Sequence, residues 1–520
     1  MLKKLVRMLF GKSGQSGNTP AQDSAGSTRP RPKRQDGPTN SKLRQPRSRK
    51  ESGAGQRNQL PPALRKLDLR NVNVVPREKH SISRREISPN ALKVLYRLNE
   101  SGYQAFLVGG GVRDLLLGNH PKDFDISTDA TPEQVREVFR NSRVVGRRFK
   151  IAHVRFGQEI IEVTTFRAHH EIETEVEEGE SRKHIRDLDS AHSSTGMILR
   201  DNVYGSINED ALRRDFTVNA LYYTTNGFCL LDFVNGLPDI EHKLIRMIGD
   251  PEKRYREDPV RILRAIRLAA KLGFTIHKDT EEPIPRLSGL LESVSPARLF
   301  DETVKLFTNG QAETTFELLR RYRVANYLFK PTLASLAGKD DAGYRLIQLA
   351  LQNTDKRLAD GKSVTPAFLY AALLWPPIQQ RLFDEFGNNT APIAALHAAA
   401  TDVISEQLRY TAIPKRFTAV MREIWELQWR LQPANRRQVE SAVSHPRFRA
   451  AYDFLLLREA AGEQTHEAGA WWTAFQLADR AGQETMIENL KTVKTQGPRK
   501  RRRKPKSRKP QQTQTESASD

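Results

Sequence analysis

The sequence predicts an α+β fold, with a small mixed-sheet head of roughly 150 residues ahead of a long all-helical region. Three observations predict it. Short apolar runs with period-two alternation crowd residues 105–166. From Asp258 to residue 490 the apolar side chains recur at helical spacing instead. Outside these stretches lie Arg-, Pro-, Gly- and Ser-rich extensions that carry too few large apolar side chains to offset the entropy of ordering.

Ordered structure is expected from near Ser81. Ser88-Pro89 supplies a cap and a proline at the first helical position, and Ala91, Leu92, Leu95 and Leu98 form one apolar stripe. Ala105–Val108 reads as a short buried strand, stopped by Gly109-Gly110-Gly111. A helix is predicted over Val112–Leu117, a strand over Phe124–Ser127 and a helix over Pro132–Phe139. Ile151–Phe156 and Ile160–Phe166 alternate as strands. The helical region opens with Arg256–Arg267, where Asp258 is the expected cap, Pro259 the first helical residue and Gly273 the stop. Ile262, Ala265, Ile266 and Ala269 make its buried stripe, and Arg261, Arg264 and Arg267 share the other side.

Charge is concentrated at the ends. Residues 1–50 hold 13 Lys/Arg against 2 acids and residues 498–520 hold 9 against 2, which leaves only +4 of the net +22 for residues 51–497. Basic extensions on a balanced core suit a polyanion bound through its phosphates. Cys229 is the sole cysteine, so an intramolecular disulfide and a thiolate zinc site are excluded and a reducing, cytoplasmic setting is expected. No run of eighteen apolar residues is present. Leu2, Leu5 and Leu9 with Lys3, Lys4 and Arg7 leave an interfacial turn at residues 1–12 as a secondary reading.

The chemistry centres on Asp123-Phe124-Asp125-Ile126. Strand residues two apart share a face, so Asp123 and Asp125 project together while Phe124 and Ile126 anchor the other side. Paired carboxylates repel unless a cation lies between them, and hard oxygen ligands suit Mg²⁺ bound to substrate phosphates. The upstream Gly109-Gly110-Gly111 turn lets backbone N–H groups approach a phosphate, with Arg113 on the following helical turn as a phosphate partner. A third carboxylate has two candidates. Glu162 stands on the strand that runs through Ile161 and Val163. Asp215 stands in Arg213-Arg214-Asp215-Phe216, one helical turn before Asn219, and is suited either to a metal or to arginine side chains. Arg213 and Arg214 bring positive charge to a triphosphate. His169-His170-Glu171, ahead of a Glu-rich stretch, reads as a surface segment.

The runs FLVGGGVRDLLLGNHPKDFDI, IIEVTTFRAHHE, RRDFTVNALYY and REDPVRILRAIRLAAKLGF occur in this order over residues 106–274. Together they resemble the family of bacterial poly(A) polymerases and CCA-adding tRNA nucleotidyltransferases. The later segments IPKR and HPRFRAAYDFLLLR resemble the poly(A) polymerase branch. Composition marks a basic disordered extension over 1–80 and a basic disordered tail over 491–520; between them the resemblance implies a nucleotidyltransferase head over 81–240, a nucleotide-binding neck over 241–305 and an RNA-binding body over 306–490. It implies that Asp123 and Asp125 hold Mg²⁺ and that Asp215 is an active-site aspartate. Gly109, Gly110 and Arg113 would cradle the nucleotide's phosphates, and Arg214, Asp258, Arg261 and Arg264 would handle the nucleotide. The expected partners are ATP and RNA 3′ ends of largely arbitrary sequence, with a monomer as the acting form. Two competing readings are a CCA-adding enzyme that uses CTP as well as ATP, and an inactive RNA-binding scaffold, which the intact Asp123–Asp125 pair disfavours.

Overall fold

The computed structural model describes residue 61 and residues 64–494, apart from 147–149, 169–174, 177–189, 194–197, 202, 339–340, 388 and 390. The two basic extensions, the turn at residues 1–12 and the pair His169-His170 lie outside the described residues.

An eight-stranded mixed sheet carries the site. Its members are β1 (Asn73–Val75), β2 (Ala105–Val108), β3 (Asp125–Thr128), β4 (Ser142–Val145), β5 (Ile151–Phe156) and β6 (Glu159–Thr165). After a small sheet of β7 (Glu175–Val176), β8 (Ser190–Ser193) and β9 (Ile198–Asp201), the chain returns with β10 (Leu221–Tyr223) and β11 (Leu230–Asp232). The order is β1-β11-β10-β2-β3-β6-β5-β4, antiparallel throughout except where β3 runs parallel to β6. Ordered chain therefore begins earlier than Ser81. β1 pairs with β11, and Leu64 and Leu67 are buried, so these apolar residues recruit a segment whose polar composition reads as an extension.

Alternation sorts the two faces. Leu107, Ile126, Ala152, Val154, Ile161, Val163 and Tyr223 pack beneath α1 (Pro89–Glu100) and α3 (Pro132–Val138). Ser88 starts α1 by accepting from the backbone N–H groups of Asn90 and Ala91, a cap worth about 1 kcal/mol. Asp125, Ser127, Glu162 and Tyr222 point to the opposite face, where α4 (Ile207–Leu212) lies, with Phe106 and Val108 in its core. Between β2 and β3 runs the short α2 (Gly110–Leu116), and after β11 comes α5 (Gly236–Glu241).

The chain then becomes almost wholly helical, as expected. α6 (Pro251–Glu257) and α7 (Val260–Leu272) lead into α8 (Pro296–Phe307) and a run of helices ending at Lys494. One apolar core extends from Phe216, Val218 and Met247 through Ile262 and Ile266 of α7 to Trp375, Trp425 and Ala461. Both tryptophans are fully buried, and each indole N–H is satisfied: Trp375 donates to Glu463 and Trp425 to the Ala371 carbonyl. A second core gathers around Trp472 near the end of the described chain. Among the described residues, no helix is long and apolar enough to cross a membrane.

Candidate active site

β2 ends at Val108, and Gly109 turns the chain with φ 77° and ψ −140°, a conformation open to glycine and strained for any residue with a Cβ. The space over Gly109 is where charges meet. The point a Cβ would occupy lies 3.8 Å from Arg214 Nη1 and 3.9 Å from Asp125 Oδ2. Gly111 is needed for a different reason: a Cβ there would stand 3.3 Å from the Asp123 carbonyl oxygen, so this turn packs tightly against the start of β3. Asp123 is exposed just ahead of β3, and Asp125 is its first residue.

Arg113 is not where a phosphate ligand was expected. It is buried and committed, donating to Asp114 (2.6 and 2.9 Å) and to Asn219 (2.6 Å). The guanidinium folds back under Gly110, whose absent Cβ leaves room for it. The charge facing the space over Gly109 comes from Arg214 instead. Arg214 Nε donates to the Tyr222 hydroxyl (2.7 Å) and Nη2 to Asp210 (2.9 Å). Asp210 is 3% exposed and also accepts from the Tyr222 hydroxyl (2.7 Å) and from Ser127 on β3 (3.2 Å). Burial opposes its ionisation, yet the Arg214 and Arg213 charges prevail and hold its pKa below the usual carboxylate range. The sequence reading missed Asp210. Its position one helical turn before Arg214 is the signal that pointed to it.

Asp215 takes up an arginine. Its carboxylate accepts from Arg264 Nε (2.6 Å), the Phe216 N–H (2.8 Å) and Asn219 (3.3 Å). Although burial raises its pKa, Arg264 and these hydrogen bonds bring it down to about 2. The predicted helical turn from Asp215 to Asn219 is instead a bridge between Phe216 and Met247 followed by a single tight turn, and the Asp215–Asn219 contact survives. The basic side chains of α7 are each paired with an acid. Arg261 pairs with Glu257 (2.9 Å), Arg264 with Asp215, Arg267 with Glu302 (3.6 Å) and Lys271 with Asp114 (3.2 Å). Asp258 does not cap this helix. It ends α6 in an extended conformation and binds Arg298 of α8 (2.8 Å), leaving Pro259 at the N-cap. From α6, Arg254 donates to the carbonyls of Arg213 and Arg214 and to Glu257, so this helix grips the backbone that carries Arg214.

The residues present fit a divalent cation. Burial and the adjacent Glu162 carboxylate push the Asp125 carboxyl up to about 6, a trend that Arg214 opposes and Asp123 reinforces. A cation between these oxygens would relieve that repulsion. Glu162 sits in register with Asp125 across the parallel strands, but its carboxylate lies 3.4 Å from His153 Nε2 on β5. Among the described residues, no three acidic, imidazole or thiol groups converge on one point. Asp123 and Asp125 are the candidate ligands, a pair that suits the habit of Mg²⁺ to bind one or two carboxylates and complete its shell with water and substrate phosphate.

Comparison with known proteins converges on the same segments. Residues 105–246 match the family model described as the poly A polymerase head domain. Residues 273–336 match the probable RNA and SrmB-binding site of polymerase A, and 388–508 the polymerase A arginine-rich C-terminus. The chain is 48% identical over 452 residues to poly(A) polymerase I of Escherichia coli O157:H7, covering 85% of this chain and 94% of the relative. Identity to poly(A) polymerase I of Haemophilus influenzae is 43% over 443 residues, covering 84% and 95%. A Bacillus pumilus CCA-adding enzyme is 37% identical over 230 residues, only 44% of this chain and 52% of that protein. Among solved structures, an apo tRNA-processing enzyme shares the fold with a TM-score of 0.50 at 20% identity, covering 78% of this chain and 98% of that one. A Thermotoga maritima CCA-adding enzyme complexed with tRNA does so with a TM-score of 0.50 at 17% identity, covering 80% and 94%.

Proposed function

The chain belongs to the poly(A) polymerase I family of nucleotidyltransferases, and from that premise we propose that it adds AMP from ATP to RNA 3′ ends without a template, marking RNA for turnover. The observation that carries the reading is the approach of Asp125 Oδ2 and Arg214 Nη1 to the same point over Gly109, at 3.9 and 3.8 Å. A triphosphate needs both: oxygens to hold its cation and a fixed positive charge for the oxygens the cation does not cover.

Asp123 and Asp125 would hold Mg²⁺, which when bound lowers the pKa of the RNA 3′-hydroxyl and neutralises charge on the triphosphate. Arg214, whose Nη1 reaches the same space, would steady charge on the departing pyrophosphate. The bond formed joins the RNA 3′ oxygen to the α-phosphorus, and the bond broken joins that phosphorus to the pyrophosphate oxygen. Gly109 keeps the floor of the cleft free of a side chain. Asp215 holds Arg264, and Asp258 with Arg261 stands at the neck where the base of the incoming nucleotide would be handled. The basic ends of the chain supply sequence-independent phosphate contacts. An RNA substrate and a single buried cysteine support a cytoplasmic site of action.

The test is direct. Purified protein is incubated with an oligoadenylate primer, Mg²⁺ and each nucleoside triphosphate in turn. A long ladder with ATP alone is the expected result. One or two additions with CTP accepted would transfer the chain to CCA addition, and no extension with any nucleotide would leave an RNA-binding scaffold.

A further inference from the structure

Beyond the residues that face the cleft, we infer that Asp210 and Tyr222 are positioning residues for the nucleotide, holding Arg214 in the one orientation that presents Nη1 to the space over Gly109. The inference rests on the nucleotidyltransferase reading and names the machinery behind it. Three observations carry it.

A free arginine side chain has about 2 kcal/mol of rotamer entropy to lose before it can meet a phosphate at a fixed point. In this chain that freedom is already removed. Nε and Nη2 of Arg214 are both used, one by the Tyr222 hydroxyl and one by the Asp210 carboxylate, and Nη1 is the nitrogen that reaches toward Gly109. The guanidinium also lies over the Tyr222 ring, 5.1 Å from its centroid.

The second observation is the wiring of Asp210. A single carboxylate oxygen, Oδ2, accepts from Arg214, Tyr222 and Ser127, which belong to three different parts of the head. Ser127 lies two residues beyond Asp125 on the same face of β3. Asp210 thus ties the strand bearing the cation ligand to the arginine bearing the opposite charge. The distance between the two phosphate-facing groups is set by one buried side chain.

The third is the order of hydrogen bonds. Tyr222 donates to Asp210 and accepts from Arg214, so its hydroxyl hydrogen is spoken for and its lone pair faces Nε. Asp210 must therefore be ionised for the cage to hold, and neither Asn nor Phe can reproduce both roles.

A double-mutant cycle separates positioning from mere packing. Asp210→Asn and Tyr222→Phe are each combined with Arg214→Gln, with kcat, KM for ATP, RNA affinity and thermal midpoint measured on the full-length protein. Each single substitution is expected to lower kcat/KM for ATP about 10–100-fold, with RNA affinity unchanged. In the Arg214→Gln background the same substitutions should cost no more than about threefold, because the group they position is gone. Equal losses in both backgrounds, or a lowered thermal midpoint with kinetics intact, would overturn the inference. If Asp210→Asn fails to fold, Tyr222→Phe carries the cycle alone, since it keeps the ring and removes one oxygen. Absence of any ATP-dependent extension by the wild type would bring down the functional reading and this inference with it. An active wild type with additive losses would bring down the inference alone.

Discussion

Asp125 is held in a place that suits a cation and disfavours the empty protein. Its carboxyl is pushed up to about 6, above the ordinary value of 3.8, by burial and by Glu162. A raised carboxylate pKa means that the folded state loses stability as pH climbs from about 4 to about 6, since the unfolded chain ionises more freely. Without divalent cation, Asp125→Asn should therefore be more stable than wild type by about 1–3 kcal/mol at pH 7.5, with the gap closing by pH 4. Denaturant titrations at the two pH values read this directly. The same substitution, like Asp123→Asn, should abolish nucleotide addition while RNA binding persists; joint loss of both would signal misfolding instead. Asp215 has the opposite sign. With its pKa near 2, it stabilises above pH 4 and loses that contribution as pH falls through 2. Asp215→Asn should destabilise the protein at neutral pH by about 1–3 kcal/mol, because the half-buried Arg264 and the Phe216 N–H would lose a charged partner. A thermal midpoint unchanged at pH 7 would contradict the pairing.

At the level of elements, much was legible. The alternation in Asp123–Ile126 set the aspartates against Phe124 and Ile126, and the sheet keeps Phe124 and Ile126 in the core beneath α1. Glycines at 109–111 announced a break, and the observed turn needs one of them for its backbone angle and another for its packing. Gly109→Ala should accordingly lower stability by about 1–3 kcal/mol and reduce kcat/KM for ATP more steeply than RNA affinity. What stayed hidden was partnership over distance. Arg113 looked available because Asn219, which with the adjacent Asp114 claims it, lies 106 residues away. The partners of the three α7 arginines went unread because Asp215 and Glu302 lie far along the chain and Glu257 belongs to the preceding helix. Asp258 looked like a cap because Arg298, which draws it off, lies 40 residues on. Asp210 was passed over because its importance comes from Ser127 and Tyr222, and only folding places those two side chains on one carboxylate. Helical spacing and alternation are local rules, and they found elements. Ion pairs between segments far apart in the chain follow no spacing and were not found.

For the molecule as a whole, the division of charge has a measurable result. Residues 51–497 carry only +4, and along α7 each basic side chain is neutralised from within. General affinity for RNA phosphates is then expected to draw on the ends. Removing residues 498–520 should weaken RNA binding and flatten its dependence on salt, while turnover at saturating RNA is largely kept. An unaltered salt slope would locate the affinity elsewhere.

Neighbouring residues in the Arg-Arg-Asp segment answer to different masters. Arg214 is moored to the sheet through Tyr222 and Asp210, whereas Asp215 is moored to α7 through Arg264, and Phe216 sinks into the core that the long helices share. Four residues on, Ala220 leads back into β10, where Leu221 joins the sheet's own core. A disturbance in α7 that reaches Asp215 should therefore be passed to Arg214 through the stretch of backbone that Arg254 also holds, by the carbonyls of Arg213 and Arg214.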